Sequence, residues 1–363
     1  MTHPSLFLKY KVISKTKFQN PLEIPESGDS FPFGFGEING EQVGDVNIFI
    51  HGPCQFNPHH EVAKENMESW IIKHKLFAEK ESQAKFFKGN YAALMAYTYP
   101  DANAEGLSVA SYFGAWLFVH DDFRDRKGIP IATIQRMNNE LYKVLDSETF
   151  TPNPSDEFYP IVSSFKDLLE QCKAFGDTKY LKNEMRTYLE KNIWEAENRE
   201  KKVISSLFEY TRNRRYTSAV EAAFEMGYLI NGITISADER GGADFKSSSE
   251  SGCHAVCFGN DIVSLKKEIG EEIAENLVIV AKYNSKLPMK WKESIEDCHD
   301  NHYHSEVKSF IKNRKGNRYE KVIDDWIKGS MVWSLPDFPW GTPRYASWKN
   351  KKVTESYSRW GRT

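Results

Sequence analysis

The chain has 363 residues, of which 40% are hydrophobic and 13% aromatic, so it is long and apolar enough to bury a substantial core. Its formal net charge is −3 and its basic residues are scattered, which argues against nucleic-acid binding. Five widely spaced cysteines are typical of reduced thiols rather than of a disulfide framework. The sequence contains no run of 18 apolar residues, so no membrane span is predicted.

Residues 1–60 predict an irregular N-terminal arm, because they are rich in Pro, Gly and Asn. The arm is expected either to wrap the body of the protein or to form a partly ordered extension. Pro4 and several lysines interrupt any signal-peptide pattern, so a cytoplasmic location is expected. Residues 61–363 are predicted to form a single α-helical domain.

The stretch 106–125 predicts a buried central helix, since it is densely apolar and almost uncharged until His120. Asp121, Asp122 and Asp125 lie at its C-terminal end, where the helix dipole disfavours carboxylates. A bound cation would offset that unfavourable charge, so this position favours a metal site over a random acidic face.

Helical periodicity dominates the rest of the chain, and no alternation is sustained enough for a sheet, so the predicted class is all-α. A helix from about residue 206 is expected to break near Arg214, and residues 239–252 predict a polar loop. Prolines after residue 335 place Arg344 and Tyr345 on a loop. Further predicted helices include residues 86–99, 131–145, 159–174, 180–201, 219–230, 271–283, 289–313 and 319–333.

A second row of oxygen-bearing side chains follows the predicted polar loop. Asn260, Ser264 and Glu268 stand at i, i+4 and i+8, so they share one face of a helix. Amide, hydroxyl and carboxylate oxygens suit Mg²⁺ rather than zinc. Asn and Ser are mediocre helix formers, so their register with a Glu indicates a function other than helix stability.

With these motifs the chain resembles the class I terpene synthases, particularly the microbial single-domain type. The resemblance covers roughly residues 110–345 and implies one helical bundle around a central apolar cavity. Four motifs carry it in the family's order: Asp-Asp-x-x-Asp at 121–125, Arg214 placed 46 residues before Asn260, Asn-Asp-x-x-Ser-x-x-x-Glu at 260–268, and Trp333-Ser334 followed by Arg344-Tyr345.

The resemblance implies a set of metal ligands. Asp121 would hold metal from the aspartate-rich side, with Asp122 and Asp125 as auxiliary groups. The opposite wall would hold another ion through Asn260, Ser264 and Glu268. Three Mg²⁺ ions are expected, and Mn²⁺ is an alternative.

It also implies roles in substrate binding and catalysis. Arg214, Arg344 and Tyr345 would bind the diphosphate and assist its departure, and Lys267 would contribute or lie on the surface. Ser218 corresponds to the small residue that the family places at the helix break after the arginine, where Gly is frequent. The expected aromatic lining, for which core packing is the alternative, consists of Phe113, Trp116, Phe118 and Trp333.

The function implied is Mg²⁺-dependent ionisation of a prenyl diphosphate and cyclisation of the cation to a sesquiterpene with release of diphosphate, and farnesyl diphosphate is the expected substrate. Geranylgeranyl diphosphate is the alternative substrate. A chain-elongating prenyl diphosphate synthase would need a second aspartate-rich motif, and Asp324-Asp325 does not supply one. A non-catalytic helical scaffold would leave both metal-competent rows unexplained. A monomer or homodimer without nucleic-acid partners is expected.

Overall fold

Helices make up most of the computed structural model, which describes residues 24–363. Within that range no helix combines the length and the apolar character needed to cross a bilayer. The prediction of an all-α fold is confirmed, with short strands as minor additions. In chain order the helices are α1 (His60–Lys73), α2 (Lys80–Phe87), α3 (Tyr91–Thr98), α4 (Ala104–Arg124), α5 (Ile131–Asp146), α6 (Tyr159–Cys172), α7 (Lys179–Lys201), α8 (Leu207–Thr217), α9 (Val220–Ile230), α10 (Ala237–Gly241), α11 (Ala243–Glu271), α12 (Leu277–Asn284), α13 (Trp291–Cys298), α14 (His304–Asn313), α15 (Arg318–Ser334) and α16 (Pro343–Ala346).

Two long helices, α4 and α11, form the centre of the bundle. The side chain of Asn103 caps α4 by accepting a hydrogen bond from the Gly106 amide at 2.7 Å. The helix is apolar nearly all round, and it packs against α1, α3 and α6. Most residues of α11 are buried, and it packs against α14 and α15. A helix that is buried on every side fits the centre of a large bundle.

The predicted polar loop over residues 239–252 is wrong, because α10 and the first turns of α11 occupy it. Serines favour loops since their hydroxyls compete for backbone groups. Here the hydroxyl of buried Ser248 donates to Glu320 on α15 at 3.1 Å, and Ser251 donates to the Ser247 carbonyl at 2.7 Å. A tertiary partner satisfies one hydroxyl and the backbone of the helix itself satisfies the other.

The described part of the arm is a hairpin rather than the irregular segment predicted for residues 1–60; residues 1–23 lie outside the described chain. Strands β1 (Asp29–Ile38) and β2 (Glu41–Ile50) pair antiparallel. Asn39 and Gly40 connect them with φ of 51° and 79°, the geometry that an Asn-Gly hairpin turn requires. The division between arm and helical domain stays a prediction.

The hairpin and the C-terminal segment are tied to the helical body. The carboxylate of Glu41 accepts hydrogen bonds from the amides of Trp291 and Lys292 at 2.9 and 3.0 Å, at the start of α13. A second, parallel pair of two-residue strands joins β3 (Val203–Ile204) to β4 (Gly361–Arg362). The residues after α15 therefore pass the end of α11 and reach the segment that leads into α8.

Candidate active site

A cavity opens among α3, α4, α7, α8, α9, α11, α15 and α16. Charged and polar groups from both predicted motifs line one part of it. The remaining lining is largely apolar, which suits a hydrocarbon better than a sugar or a nucleotide. The apolar lining includes Leu94, Met95, Phe113, Leu117, Phe118, Val220, Ala223, Val256, Trp326, Met331 and Trp333.

Helix α11 presents Asn260 and Glu268 to this cavity. Asn260 accepts a hydrogen bond from Arg214 at 3.3 Å through its carbonyl oxygen. Glu268 accepts one from Asn276 at 2.7 Å, and burial together with the charge of Asp261 raises the pKa of Glu268 to about 7. The side-chain oxygens of Asn260 and Glu268 lie on the same face of α11 and keep lone pairs that could bind a cation.

Ser264 lies between these two residues in sequence and is 1% exposed, but it is not among the residues that line the cavity. Its hydroxyl has no hydrogen-bond partner. Buried hydroxyls are nearly always partnered, so an unpartnered one in register with an amide and a carboxylate fits a site for a hard cation.

The aspartates lie at the C-terminal end of buried α4, as predicted, and Asp121 and Asp125 line the cavity. Arg124 donates to Asp121 at 2.7 Å and to the buried Glu195, and Arg199 donates to Asp125 at 2.9 Å. Burial and the charge of Asp125 raise the pKa of Asp121. Burial also acts to raise the pKa of Asp125, but the Arg124 and Arg199 charges outweigh it and hold that pKa well below its usual range.

Helix α16 links the two motif-bearing helices, where a loop was predicted. Arg344 grips Asp122 of α4 with two nitrogens, at 2.7 and 3.4 Å, and donates to the Tyr91 hydroxyl at 3.0 Å. The neighbouring Tyr345 accepts from Asn260 of α11 at 2.9 Å. Adjacent residues of one short helix thus contact both walls of the cavity.

Arg214 is oriented by Asp261, which the sequence analysis did not single out. Asp261 is fully buried and binds the Arg214 guanidinium at 2.8 and 3.0 Å. It also accepts from the Tyr210 hydroxyl at 2.5 Å and from the Leu277 amide at 3.1 Å. The only signal in the sequence was its place directly after Asn260 in the second motif.

The predicted helix break is present, four residues beyond Arg214. Helix α8 ends at Thr217, Ala219 takes a left-handed φ of 58°, and α9 begins at Val220. Thr217, Ser218 and Ala219 all line the cavity, so the interruption brings backbone as well as side chains to its wall. Ser218 occupies the C-cap position at this break.

Lys267 lies in the cavity wall rather than on the surface, since it is only 8% exposed. Nearby Glu271, Asp125 and Glu268 raise its pKa although burial and Arg344 lower it, so the ammonium stays charged. It pairs with Glu271 at 2.6 Å. Lys267, Arg214 and Arg344 line the cavity together with Arg124 and Arg199.

Trp116 does not reach the cavity, unlike Phe113, Phe118 and Trp333. It is fully buried, donates its indole N–H to the Ile161 carbonyl at 2.9 Å and stacks on Phe165 with ring centroids 4.6 Å apart. The expectation that Trp116 binds substrate is therefore corrected, because α6 covers the face of α4 on which it lies.

A family model for terpene synthase family 2, described as C-terminal metal binding, matches residues 112–306. The chain belongs to the terpene synthases. A 4-epi-cubebol synthase of Streptosporangium roseum is 28% identical, with 88% of this chain and 92% of that protein covered. A (+)-T-muurolol synthase of Roseiflexus castenholzii is 25% identical, with 80% and 90% covered.

Solved structures share the fold of this terpene synthase. The structure of a linalool/nerolidol synthase from Streptomyces clavuligerus superposes with a TM-score of 0.70 at 19% identity, covering 77% of this chain and all of that one. The predicted class I microbial family, the helical-bundle fold and the lyase class are confirmed. Divalent-metal binding follows from the family model, whose match contains both metal-competent rows.

Proposed function

We propose that this terpene synthase ionises farnesyl diphosphate and cyclises the resulting cation to a sesquiterpene in a Mg²⁺-dependent reaction. The observation that carries the proposal is one cavity with Asp121, Asp125, Asn260 and Glu268 at its polar part and aromatic and aliphatic walls elsewhere. The names of both relatives described above specify cyclisation of (2E,6E)-farnesyl diphosphate, which supports a fifteen-carbon substrate.

The divalent ions would be held by residues of α4 and α11. The ligands proposed are Asp121 at the C-terminal end of α4, Asp125 directly after it, and Asn260, Ser264 and Glu268 from α11. Three Mg²⁺ ions are the expected number, with Mn²⁺ as a substitute. Bound Mg²⁺ supplies charge neutralisation for the departing diphosphate. The unpartnered Ser264 hydroxyl and the hard-oxygen donor set support this assignment.

Three cations of the chain are placed to bind the diphosphate. Arg214 and Lys267 come from α8 and α11, and Arg344 comes from α16. Guanidinium groups form paired hydrogen bonds to phosphate oxygens, so Arg214 and Arg344 would exchange part of their carboxylate contacts for substrate oxygens. The Tyr345 hydroxyl, now bonded to Asn260, would donate to the same group.

The apolar part of the cavity would protect and guide the cation. Phe113, Phe118 and Trp333 present ring surfaces whose negative faces stabilise positive charge. Excluding water there allows the substrate's own double bonds to attack before the cation is quenched.

The position of the acidic pair Asp324-Asp325 supports cyclisation rather than chain elongation. Asp324 and Asp325 do not line the cavity; Lys328 and Lys321 bind them at 2.5 and 2.7 Å on α15. No second aspartate-rich wall faces the cavity within residues 24–363.

The five cysteines, all buried and free, accord with the cytoplasmic location expected, which stays a prediction.

The proposal is tested by supplying ten-, fifteen- and twenty-carbon prenyl diphosphates separately, with Mg²⁺ and with or without isopentenyl diphosphate. Gas chromatography–mass spectrometry is expected to detect a volatile hydrocarbon or alcohol from farnesyl diphosphate alone, together with inorganic diphosphate. Isopentenyl diphosphate should not lengthen the product. A longer prenyl diphosphate without any hydrocarbon contradicts cyclisation, and turnover of geranylgeranyl diphosphate alone assigns a diterpene synthase instead.

A further inference from the structure

Two buried polar groups beside the cavity face each other without forming a hydrogen bond. Glu275 is 7% exposed and lines the cavity, yet neither of its carboxylate oxygens accepts a hydrogen bond from another residue. The Nε atom of Arg199 is likewise unpartnered and lies 3.8 Å from Glu275 Oε2. A buried carboxylate without a donor is unfavourable, so this arrangement indicates a second state in which the donor is supplied.

Arg199 already has a partner on its other side. Its Nη2 atom donates to Asp125 Oδ1 at 2.9 Å, and its Nη1 atom donates to the Arg124 carbonyl at 3.4 Å. The guanidinium therefore stands between Asp125 and Glu275. While the Arg199 guanidinium binds Asp125, it occupies a carboxylate that the proposed function assigns to a divalent metal.

Other carboxylates around this point are already engaged. Glu195 accepts from Arg124, and Glu268 accepts from Asn276. Among these acidic neighbours, Glu275 is the one within reach of Arg199 that accepts no hydrogen bond from another residue. The side chain of Arg199 is 20% exposed, so it is not locked by packing on every side.

We propose that Glu275 is the second binding position of the Arg199 guanidinium, taken when a divalent cation occupies Asp125. The incoming cation repels the guanidinium, and a movement of about 1 Å brings Nε within hydrogen-bond distance of Glu275. Glu275 is thus a positioning residue that draws Arg199 away from the metal site. The inference rests on the proposed function, in that it requires a divalent cation at the aspartate row.

The test measures metal binding without turnover. Mn²⁺ is titrated into the full chain at a fixed concentration of inorganic diphosphate, free Mn²⁺ is followed by electron paramagnetic resonance, and a titration without protein corrects for the Mn²⁺ that diphosphate itself binds. Glu275→Gln keeps the shape but removes the charge, so Arg199 stays on Asp125 and competes with the metal. The expected result is a rise in the Mn²⁺ dissociation constant of roughly tenfold, the size of one lost charge-assisted hydrogen bond.

Glu272→Gln is the matched control. It removes the same charge three residues away, from an exposed side chain that pairs with Lys127, and should leave Mn²⁺ affinity unchanged. An unchanged affinity in Glu275→Gln, or an equal loss in both variants, overturns the proposal.

A double-mutant cycle separates an effect through Arg199 from a direct effect on the metal. In an Arg199→Gln background, Glu275→Gln is expected to change Mn²⁺ affinity less than twofold, and the full tenfold loss there overturns the proposal. Arg199→Gln alone removes the competing cation and should bind Mn²⁺ no more weakly than the parent. Arg199→Gln still tests the proposal if Glu275→Gln does not fold. Weaker Mn²⁺ binding in Arg199→Gln would contradict a competition between Arg199 and the metal for Asp125.

Failure of the proposed function gives a different result. A parent protein that binds Mn²⁺ with diphosphate but forms no hydrocarbon contradicts the cyclase while leaving the comparison of variants valid. A parent protein that binds no Mn²⁺ overturns both inferences.

Discussion

At the scale of single residues, the motif side chains are held by partners that the motifs do not name. Asp261 orients Arg214, and Asn276 holds Glu268. These contacts fix side-chain directions before substrate arrives, which lowers the entropy lost on binding. Polar groups that line a cavity add little to the packed core, so removing one should affect chemistry more than folding.

Asn260→Ala and Glu268→Ala test whether the cavity side chains affect catalysis more than folding. Each removes a proposed metal ligand, so hydrocarbon formation from farnesyl diphosphate should fall by roughly 100-fold or more, while the circular dichroism spectrum is retained. Glu250→Ala, on the exposed part of α11, is the control and should keep full activity. Parent-like activity in both ligand variants would show that this row is only a face of a helix.

At the scale of elements, the end of α11 carries a strained residue. Glu272 follows the helix with φ 61° and ψ 36°, a left-handed conformation that favours glycine because a Cβ atom is crowded there. Its side chain is exposed and pairs with Lys127 at the surface. The strain can therefore be relieved without removing a buried contact.

Glu272→Gly should raise the free energy of unfolding by about 0.5–1 kcal/mol, measured by urea denaturation at neutral pH. Glu272→Ala is the comparison, since it removes the same side chain but keeps the Cβ atom. If the two variants have equal stability, backbone strain at this position is not the cause.

The residue after the hairpin is joined to α15 by a partly buried ionic cluster. Asp324 accepts from His51 at 2.9 Å and pairs with Lys328 at 2.5 Å and Arg314 at 3.3 Å. Burial acts to raise the pKa of Asp324, but the His51 hydrogen bond and the Lys328 charge outweigh it, so that pKa lies well below its usual range. The carboxylate is therefore more stable in the folded chain than in the unfolded one.

Asp324→Asn should destabilise the protein by about 2–4 kcal/mol at pH 7. Because the folded-state pKa lies below the unfolded value of about 3.9, this contribution is complete above that value and is lost as pH falls through the folded-state pKa. Urea denaturation should show a full difference from the parent at pH 6 and a shrinking one below about pH 4. A difference that stays constant to pH 3 contradicts the ionic origin.

At the scale of the whole molecule, the active site is assembled from distant parts of the chain. The proposed ligand rows lie on α4 and α11, the cations proposed to bind diphosphate lie on α8, α11 and α16, and the apolar walls lie on α3, α4, α9, α11 and α15. Each row alone is a weak site for Mg²⁺, which keeps much of its hydration and needs several hard ligands together with phosphate oxygens. Metal and diphosphate are therefore expected to bind cooperatively.

Chelation by EDTA should abolish hydrocarbon formation, and excess Mg²⁺ should restore it. Mg²⁺ with inorganic diphosphate should also raise the melting temperature more than the two separate increments combined, since binding to the folded state stabilises it. Calcium, which is larger and more flexibly coordinated, is the control ion and should restore little activity. Full activity in metal-free buffer would contradict the mechanism.

The sequence by itself determined the helical class, the buried α4 and the two metal-competent rows. These depend on local spacing: a helix repeats every 3.6 residues, so residues four apart share a face wherever that helix lies. The Asn39-Gly40 turn was also a local signal, but Pro32 and the glycines of β1 obscured the strand pattern around it.

Only the tertiary structure decided which face of each helix lines the cavity and which charged side chains lie in contact. Phe113 and Trp116 are three residues apart on α4, yet one lines the cavity and the other packs under α6. The serines in the first turns of α11 are helical, and Ser248 among them donates a hydrogen bond to Glu320, 72 residues away in sequence. Arg199 and Glu275 carry no motif, and their relation to Asp125 arises from packing between helices, which local spacing does not encode.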